Sequence, residues 1–449
     1  MNQTASTKPP LFFYGWIIIG IGFINLAIAF GIWYSFSVFF LAIIKDFGWS
    51  RAATSSIFSV FIICHAVMGI LTGYLQDRFG PRLVIPFGSL LLAASLVLTS
   101  RAQEIWHFYL AYGIFASTGV SLIGFTSHSA FLPNWFERKR GLAVGIAMSG
   151  IGFGMLVLVP LLEKMITLYS WRVAYLCAAA ISLFLVAPLN LLFARKNPAE
   201  MNLSPDGDTA HQKSVAKFPK RVVEILDSDW AERDWTIFKA LRTKQFWFLA
   251  SAYFCMSFAF QSTLLHSVSA MVDGGLTLQT ATLLFGILGI AGSGGKILFG
   301  FLSDIYGREQ ISTTGGTIAA LGIACLIAAG SGSLVLPLLF ALLFGIGYGS
   351  AAPLLPSVSA DIFSGRAFGV IFAVIGIGGG LGGSCGAFIS GLIRDLSDDY
   401  SISLSMSIAS LTISCILIWL AGPGKIRKTV RIETIQYPLH QGDHNSKHA

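Results

Sequence analysis

Residues Leu283 to Arg308 read LLFGILGIAGSGGKILFGFLSDIYGR, an apolar, glycine-rich helix that carries one lysine and ends in a charged turn. Lys296 is the only fully charged residue inside any apolar span of the chain. An ammonium in hydrocarbon costs several kcal/mol unless a partner or a wet cavity receives it, so an intramembrane lysine is a functional candidate. The competing account is snorkelling: Lys296 lies about two turns before Asp304, and its stem can lead the charge toward the nearer interface. Five glycines and Ala291 surround it, a composition suited to close helix packing beside a cavity.

Of 449 residues, 54% are hydrophobic and 12% charged, and the mean hydropathy is +0.72. Soluble chains carry about 25% charged residues, so a polytopic membrane protein is expected. The N-terminus MNQTASTKPP lacks a basic region followed by a cleavage site, so the first apolar span is expected to stay as a helix. The six cysteines fall in six different apolar spans, and no loop offers a disulfide pair. They read as small packing residues.

Scanning for spans of about 20 apolar residues gives twelve, the first near 15–40 and the last near 402–421. Six precede and six follow one polar segment. The expected division is therefore a six-helix bundle over 1–193, a linker over 194–244, a second bundle over 245–421 and a tail over 422–449. The linker is rich in charge, Pro, Asp and Ser and is expected to have no core of its own, although DWTIFKALRTKQFW at its end suits a short interfacial helix. Twenty-three Lys and Arg fall in the termini, the linker and the loops on that side, against six opposite. Basic loops stay in the cytoplasm, so both termini and the linker are expected there, in an inner (plasma) membrane.

An internal repeat supports the division. GYLQDRFGPR (Gly73 to Arg82) after the second span matches GFLSDIYGRE (Gly300 to Glu309) after the eighth, with Asp77 and Asp304 separated by 227 positions. Arg140 and Arg366, which open spans 5 and 11, are 226 apart. Two pairs whose offsets agree to within one residue are the pattern of a parallel-repeat carrier.

The paired G-x-x-x-D-x-x-G-R turns resemble the signature of the major facilitator superfamily, and the resemblance covers residues 14 to 421. Within it, NWFERKRGLAVGIAMSGIGFG (Asn134 to Gly154) resembles the start of helix 5 in the monocarboxylate transporters and the bacterial oxalate/formate antiporter group. DFGWSR (Asp46 to Arg51) is similar to the latter group. The resemblance implies an all-α polytopic fold of twelve transmembrane helices in two six-helix pseudo-repeats. It also implies that Asp77 caps helix 11 and Asp304 caps helix 5, with Arg78, Arg140, Arg308 and Arg366 as counter-ions in latches that shut the cytoplasmic side. The glycines of the turns, Gly73 and Gly300, are expected to let helices approach closely.

All 22 acidic residues lie in loops, tails or span ends, Glu163, Asp273 and Asp361 included. With Lys296 as the one strong interior charge, the expected substrate is an organic anion. A drug or cation exporter would need an interior acid. In the oxalate/formate antiporters a carboxylate-binding arginine stands in helix 8, where this chain has Gly295-Lys296. No second cation follows within Phe368 to Ile393, so one carboxylate is expected rather than two. The animal monocarboxylate transporters resemble this chain less at their proton relay: Gly292 stands in place of their aspartate and Tyr34 in place of their helix 1 lysine. His65, His128 and His266 remain as candidates for a proton site, His266 first, each weighed against an ordinary packing histidine. Lys296, Tyr34, His266, Phe258 and Tyr348 are the expected substrate-binding set, with Phe30, Trp33 and Phe254 as further pocket candidates, and Asn25 and Gln261 as interhelical amides.

No phosphate-cradling loop, metal-spaced Cys or His pair, or nucleophile elbow is present. An enzyme and a resident cofactor are therefore not expected. The net charge of +8 requires no nucleic acid, and the basic stretch Lys425 to Arg431 suits contact with the anionic lipid bilayer. The expectation is a secondary carrier for a small monocarboxylate moving with a proton. Carboxylate exchange of the oxalate/formate type is the alternative, and a carboxylate sensor that keeps the carrier fold is the alternative of another class.

Overall fold

A backbone crossing hydrocarbon has no water to bond, so long apolar runs close their hydrogen bonds internally as helices. The computed structural model, described over residues 13–136, 140–201, 203–207, 218–329, 333–365 and 367–435, is nearly all helical. Among the described residues, twelve helices are long and apolar enough to span a membrane. The first six are α1 (Gly15–Phe47), α2 (Arg51–Phe79), α3 (Pro81–Ser100), α4 (Ile105–Asn134), α5 (Gly141–Leu168) and α6 (Trp171–Phe193). The second six are α7 (Lys244–Asp273), α8 (Leu278–Ser303), α9 (Arg308–Ile327), α10 (Val335–Ile362), α11 (Phe368–Ser397) and α12 (Ser401–Ile426).

Local chemistry sets several boundaries. Hydroxyls of Ser50, Thr243 and Thr277 accept from the amides of Ala53, Phe246 and Thr280 and so cap α2, α7 and α8. Gly48, left-handed at φ 67°, ends α1. Helix α4 passes through a π segment, Tyr109–Ala116, and breaks at Gly124.

Packing reproduces the sequence repeat. In the first half α1 lies on α5, α2 on α4 and α3 on α6; in the second, α7 lies on α11, α8 on α10 and α9 on α12. Each pair in one half has its counterpart six helices later. The halves meet through α5 against α8 and α2 against α11, which the same offset exchanges. At the first crossing, a Cβ on Gly152 would collide with the backbone of Gly289 and with Ser293 Oγ, so only glycine permits the approach. The signature glycines do less than expected. Gly73 has open space around it, and Gly300 would make only ordinary contact with Pro353.

The linker is more ordered than its composition suggests. Strand β1 (Phe218–Ile225) pairs antiparallel with β2 (Arg427–Ile435) of the tail, from Phe218 opposite Ile435 to Ile225 opposite Arg427, with a bulge at Val222/Val223. Trp235 and Ala240 are buried with Phe246, Phe363 and Ile371 of the second half. The second part of the linker thus borrows that half's core. The expected interfacial helix is one short turn, Ile237–Leu241, capped by Thr236.

Candidate functional site

Three faces of α8 are defined by what they touch. Gly286, Gly289 and Ser293 meet Leu156, Met155 and Ser149 of α5, while Ala291, Gly292 and Gly295 meet Gly345, Tyr348 and Ile346 of α10. Leu283, Ile290, Ile297 and Phe301 are exposed toward lipid. At about 100° per residue, Lys296 falls between the α5 and α10 faces, on the side away from lipid. It is only half-buried, so the space it sees lies inside the molecule, between the halves. Its ammonium makes no hydrogen bond or ion pair with any described residue. At about 1.5 Å per residue it sits about 10 Å from Ser303, a longer path than one lysine stem covers, and the phase of the helix points it away from the bilayer.

One turn along α8, the ring of Tyr348 stands against Gly292, where a Cβ would sit 3.5 Å from Tyr348 Cδ1. The Tyr348 hydroxyl is 2.6 Å from that of Tyr34 on α1. This hydrogen bond joins the two halves on the side of Lys296 away from the termini. Phe285 lies edge-on to Tyr34 at 6.3 Å, and Phe260 edge-on to Tyr348 at 5.1 Å. The structure therefore brings together Lys296, Tyr34 and Tyr348 of the expected set. It adds Phe260 and Phe285, which nothing in their sequence neighbourhood distinguishes from other helix phenylalanines. Phe258 is buried with its carbonyl against Gly386 of α11, and the α7 ring that meets Tyr348 is Phe260.

The three histidines go to three places. His128 is fully buried in the first half: Nδ1 lies 2.9 Å from Gly124 O and Nε2 3.1 Å from Asn25 Nδ2, while Asn25 and Asn190 exchange hydrogen bonds at 3.0 and 2.9 Å. Both its nitrogens are engaged in holding α1, α4 and α6 together. His266 is also fully buried and is not at Lys296. Its Nε2 lies 2.9 Å from the carbonyl of Ala387 and its Nδ1 3.3 Å from the Tyr400 hydroxyl, with Phe40 of α1 edge-on to its ring. His65 lies edge-on to Trp33 at 4.5 Å, opposite the exposed Ile63, Val67 and Ile70. Trp33 Nε1 and His65 Nδ1 are both buried without a hydrogen-bond partner. Phe30 stacks on Trp33 at 5.5 Å.

The interhalf ion pairs are not where the signature turns predict them. At the end away from the termini, Arg51 of α2 reaches Asp273 of α7 at 3.3 Å, and Arg394 of α11 reaches the same carboxylate at 3.1 Å. Asp395 accepts from the amides of Arg51 and Ala52 at 2.9 and 2.7 Å, capping α2 from the other half, and Arg51 Nη1 donates to Tyr400 at 2.7 Å. The DFGWSR turn builds one side of this. Asp46 accepts from Trp171 Nε1 and Arg172 at 2.9 and 2.8 Å, Gly48 turns the chain, Ser50 caps α2, and Arg51 is thereby presented to the second half.

At the opposite end the expected latches are not made by the residues described. Asp77 is exposed, α11 starts without a side-chain cap, and Arg78 donates within its own helix to Tyr74 at 2.9 Å. Arg308 bonds Asp361 at 3.1 Å and Ser303 at 2.7 Å, both in its own half. Among the described residues, the hydrogen bonds and ion pairs that join the two halves lie at midspan or toward the far end. The side chains of Arg140 and Asp304, and all of Arg366, lie outside the described residues.

Two pseudo-equivalent six-helix halves meet beside a half-buried lysine in the termini-side third of α8, the architecture of parallel-repeat membrane proteins. The chain belongs to the Major Facilitator Superfamily, whose family model matches residues 21–387. It is 34% identical to monocarboxylate transporter 13 of Rattus norvegicus over 181 residues, a match covering 40% of this chain and 42% of that protein. It is 26% identical to monocarboxylate transporter 12 of Homo sapiens over 395 residues (83% and 74%), and 25% identical to the oxalate:formate antiporter of Oxalobacter formigenes over 370 residues (79% and 80%). Among solved structures, an inward-facing, occupied bacterial homolog of the human lysosomal transporter Spinster superposes with a TM-score of 0.66 at 15% identity, covering 93% of this chain and 97% of that one. The D-xylose-proton symporter gives 0.65 at 16% identity, covering 90% and 97%. Both show the fold alone.

Proposed function

We propose that this carrier moves a small monocarboxylate together with a proton, by rocking its halves about a site at Lys296. The observation that supports this reading most is the unpartnered ammonium of Lys296 inside the molecule, because a cation in low dielectric favours an anion to complete it. Acids among the described helix residues sit toward helix ends, and the three nearest the spans' interiors are engaged there. Glu163 accepts from Thr167, Asp273 holds two arginines and Asp361 holds Arg308. Tyr34 and Tyr348 form a lid over the site with hydroxyls suited to the second carboxylate oxygen. The Arg51–Asp273–Arg394 network holds the outer end shut, and the turns at Asp77 and Asp304 close the cytoplasmic end in the alternate state, both termini lying in the cytoplasm of the cell's inner membrane.

A second reading, carboxylate exchange without a proton, is supported by Gly292: no carboxylate stands one turn from Lys296 to exchange protons with it. Proteoliposomes separate the two. Symport predicts that an inward proton gradient alone drives accumulation of a labelled monocarboxylate. Exchange predicts counterflow only when the lumen holds a carboxylate, and failure of both in folded protein would remove the carrier reading and leave the sensor.

A further inference from the structure

A cavity of about 350 Å³ opens on the side of the molecule that carries the termini, where the ends of α8 and α12 meet the start of α9. Its membrane-side wall holds Tyr306 and Trp419, exposed to 60% and 50%. Trp419 Nε1 donates to Thr313 Oγ1 at 2.9 Å, which leaves the apolar edge of the ring outward. Tryptophan and tyrosine so placed sit at the level of lipid headgroups. Ile416, exposed one turn before Trp419, lines with it a groove between α9 and α12 that continues an apolar track toward the bilayer centre.

Among its described residues the polar wall carries three cationic side chains, Arg308, Lys425 and Arg427, against two acids. Its two described acids are already engaged: Asp361 bonds Arg308 at 3.1 Å, and Glu309 Oε1 accepts from the amide of Gly424 at 2.6 Å. Lys425 is exposed and forms no ion pair with a described residue. Arg427 spends Nη2 on Ser364 Oγ at 2.6 Å and on the carbonyl of Ala231 at 3.4 Å, while its Nε is buried with no partner. An orphaned guanidinium N–H and an unpaired ammonium lining one cavity are completed by an oxyanion, and a phosphate supplies several acceptors.

We propose that this cavity binds the headgroup of an anionic phospholipid. The phosphate is received by Lys425 and Arg427, and the acyl chains follow the apolar track past Tyr306 and Trp419. Leu226, just after β1, and Arg427, at the start of β2, both line the cavity, so the lipid would fasten the linker and tail strands to the α8–α9 turn. The site shares no residue with that of Lys296, and its test is independent of the transported substrate.

Full-length protein is delipidated and its melting temperature followed in phosphatidylcholine nanodiscs with and without phosphatidylglycerol, and in detergent with glycerol 3-phosphate. The expected result is a rise of several degrees with phosphatidylglycerol, no rise with glycerol 3-phosphate, and loss of most of the phosphatidylglycerol shift in Lys425→Glu. Retention of that lipid by native mass spectrometry should fall about tenfold in the same variant. Lys425 is exposed, so its substitution leaves the packed core untouched, and Arg427→Gln tests the second ligand. An undiminished shift in Lys425→Glu overturns the proposal. Equal stabilisation by glycerol 3-phosphate overturns it too, since the ligand would then be a soluble phosphate ester.

Discussion

The hydroxyls of Tyr34 and Tyr348, 314 positions apart in the chain, stand 2.6 Å from one another and join the two halves, with the Tyr348 ring against Gly292 one turn of α8 from Lys296. Each is the other's partner in a part-buried place, so losing one strands the other. Tyr34→Phe and Tyr348→Phe are each expected to cost about 1–3 kcal/mol of thermal stability, while the double variant costs less than their sum because no orphaned hydroxyl remains. Additive losses in the double-mutant cycle would show that the pair does not act as a unit.

The Asp273 carboxylate is shared by Arg51 and Arg394, whose side chains are 18% and 16% exposed. Asp273→Asn leaves two arginines facing each other across the halves and should shift the carrier toward opening at that end by about 1 kcal/mol, roughly five- to tenfold. Ser55→Cys, fully buried where α2 meets α11, reads this through its reaction with an impermeant thiol reagent. Labelling should quicken several-fold in the Asp273→Asn background. An unchanged rate would mean that helix packing alone holds the end closed.

His128 is expected to be structural. Asn190→Ala removes a partner of Asn25 inside a fully buried cluster, and should lower stability by about 1–3 kcal/mol while leaving the pH dependence of carboxylate uptake unaltered. A changed pH profile with stability intact would place His128 on the proton route instead.

Orientation is tested by Ser204→Cys in the exposed part of the linker. An impermeant thiol reagent should label it in inverted vesicles and not in intact cells. Labelling of intact cells would reverse the assignment of both termini.

The helices, the halves and their pseudo-symmetry were legible because hydrocarbon imposes long apolar runs and because Asp77 and Asp304 mark a repeat at one offset. Lys296 was legible for the same reason, as a charge where charge is expensive. Side-chain neighbours were not, because aromatic residues are common on every face of such helices. Phe260 and Phe258 differ only in phase, and only packing shows that Phe260 meets Tyr348. The Asp273 network was hidden as three unrelated loop charges, although Arg51 within DFGWSR already stood at a helix start. The β1–β2 pair was obscured by charge and by Pro219. Alternation in KTVRIETI of the tail, Lys428 to Ile435, was the one local signal for a strand.

Lys296 carries the central claim, and calorimetric titration of a monocarboxylate into wild type, Lys296→Ala and Lys296→Arg tests it most directly. If the ammonium holds the substrate carboxylate, the alanine variant should lose about 2–5 kcal/mol of binding free energy with its fold intact. The arginine variant should bind measurably, with a shifted preference among acids, because the charge persists in another geometry. An alanine variant that is folded and binds the carboxylate as tightly as wild type would contradict the account.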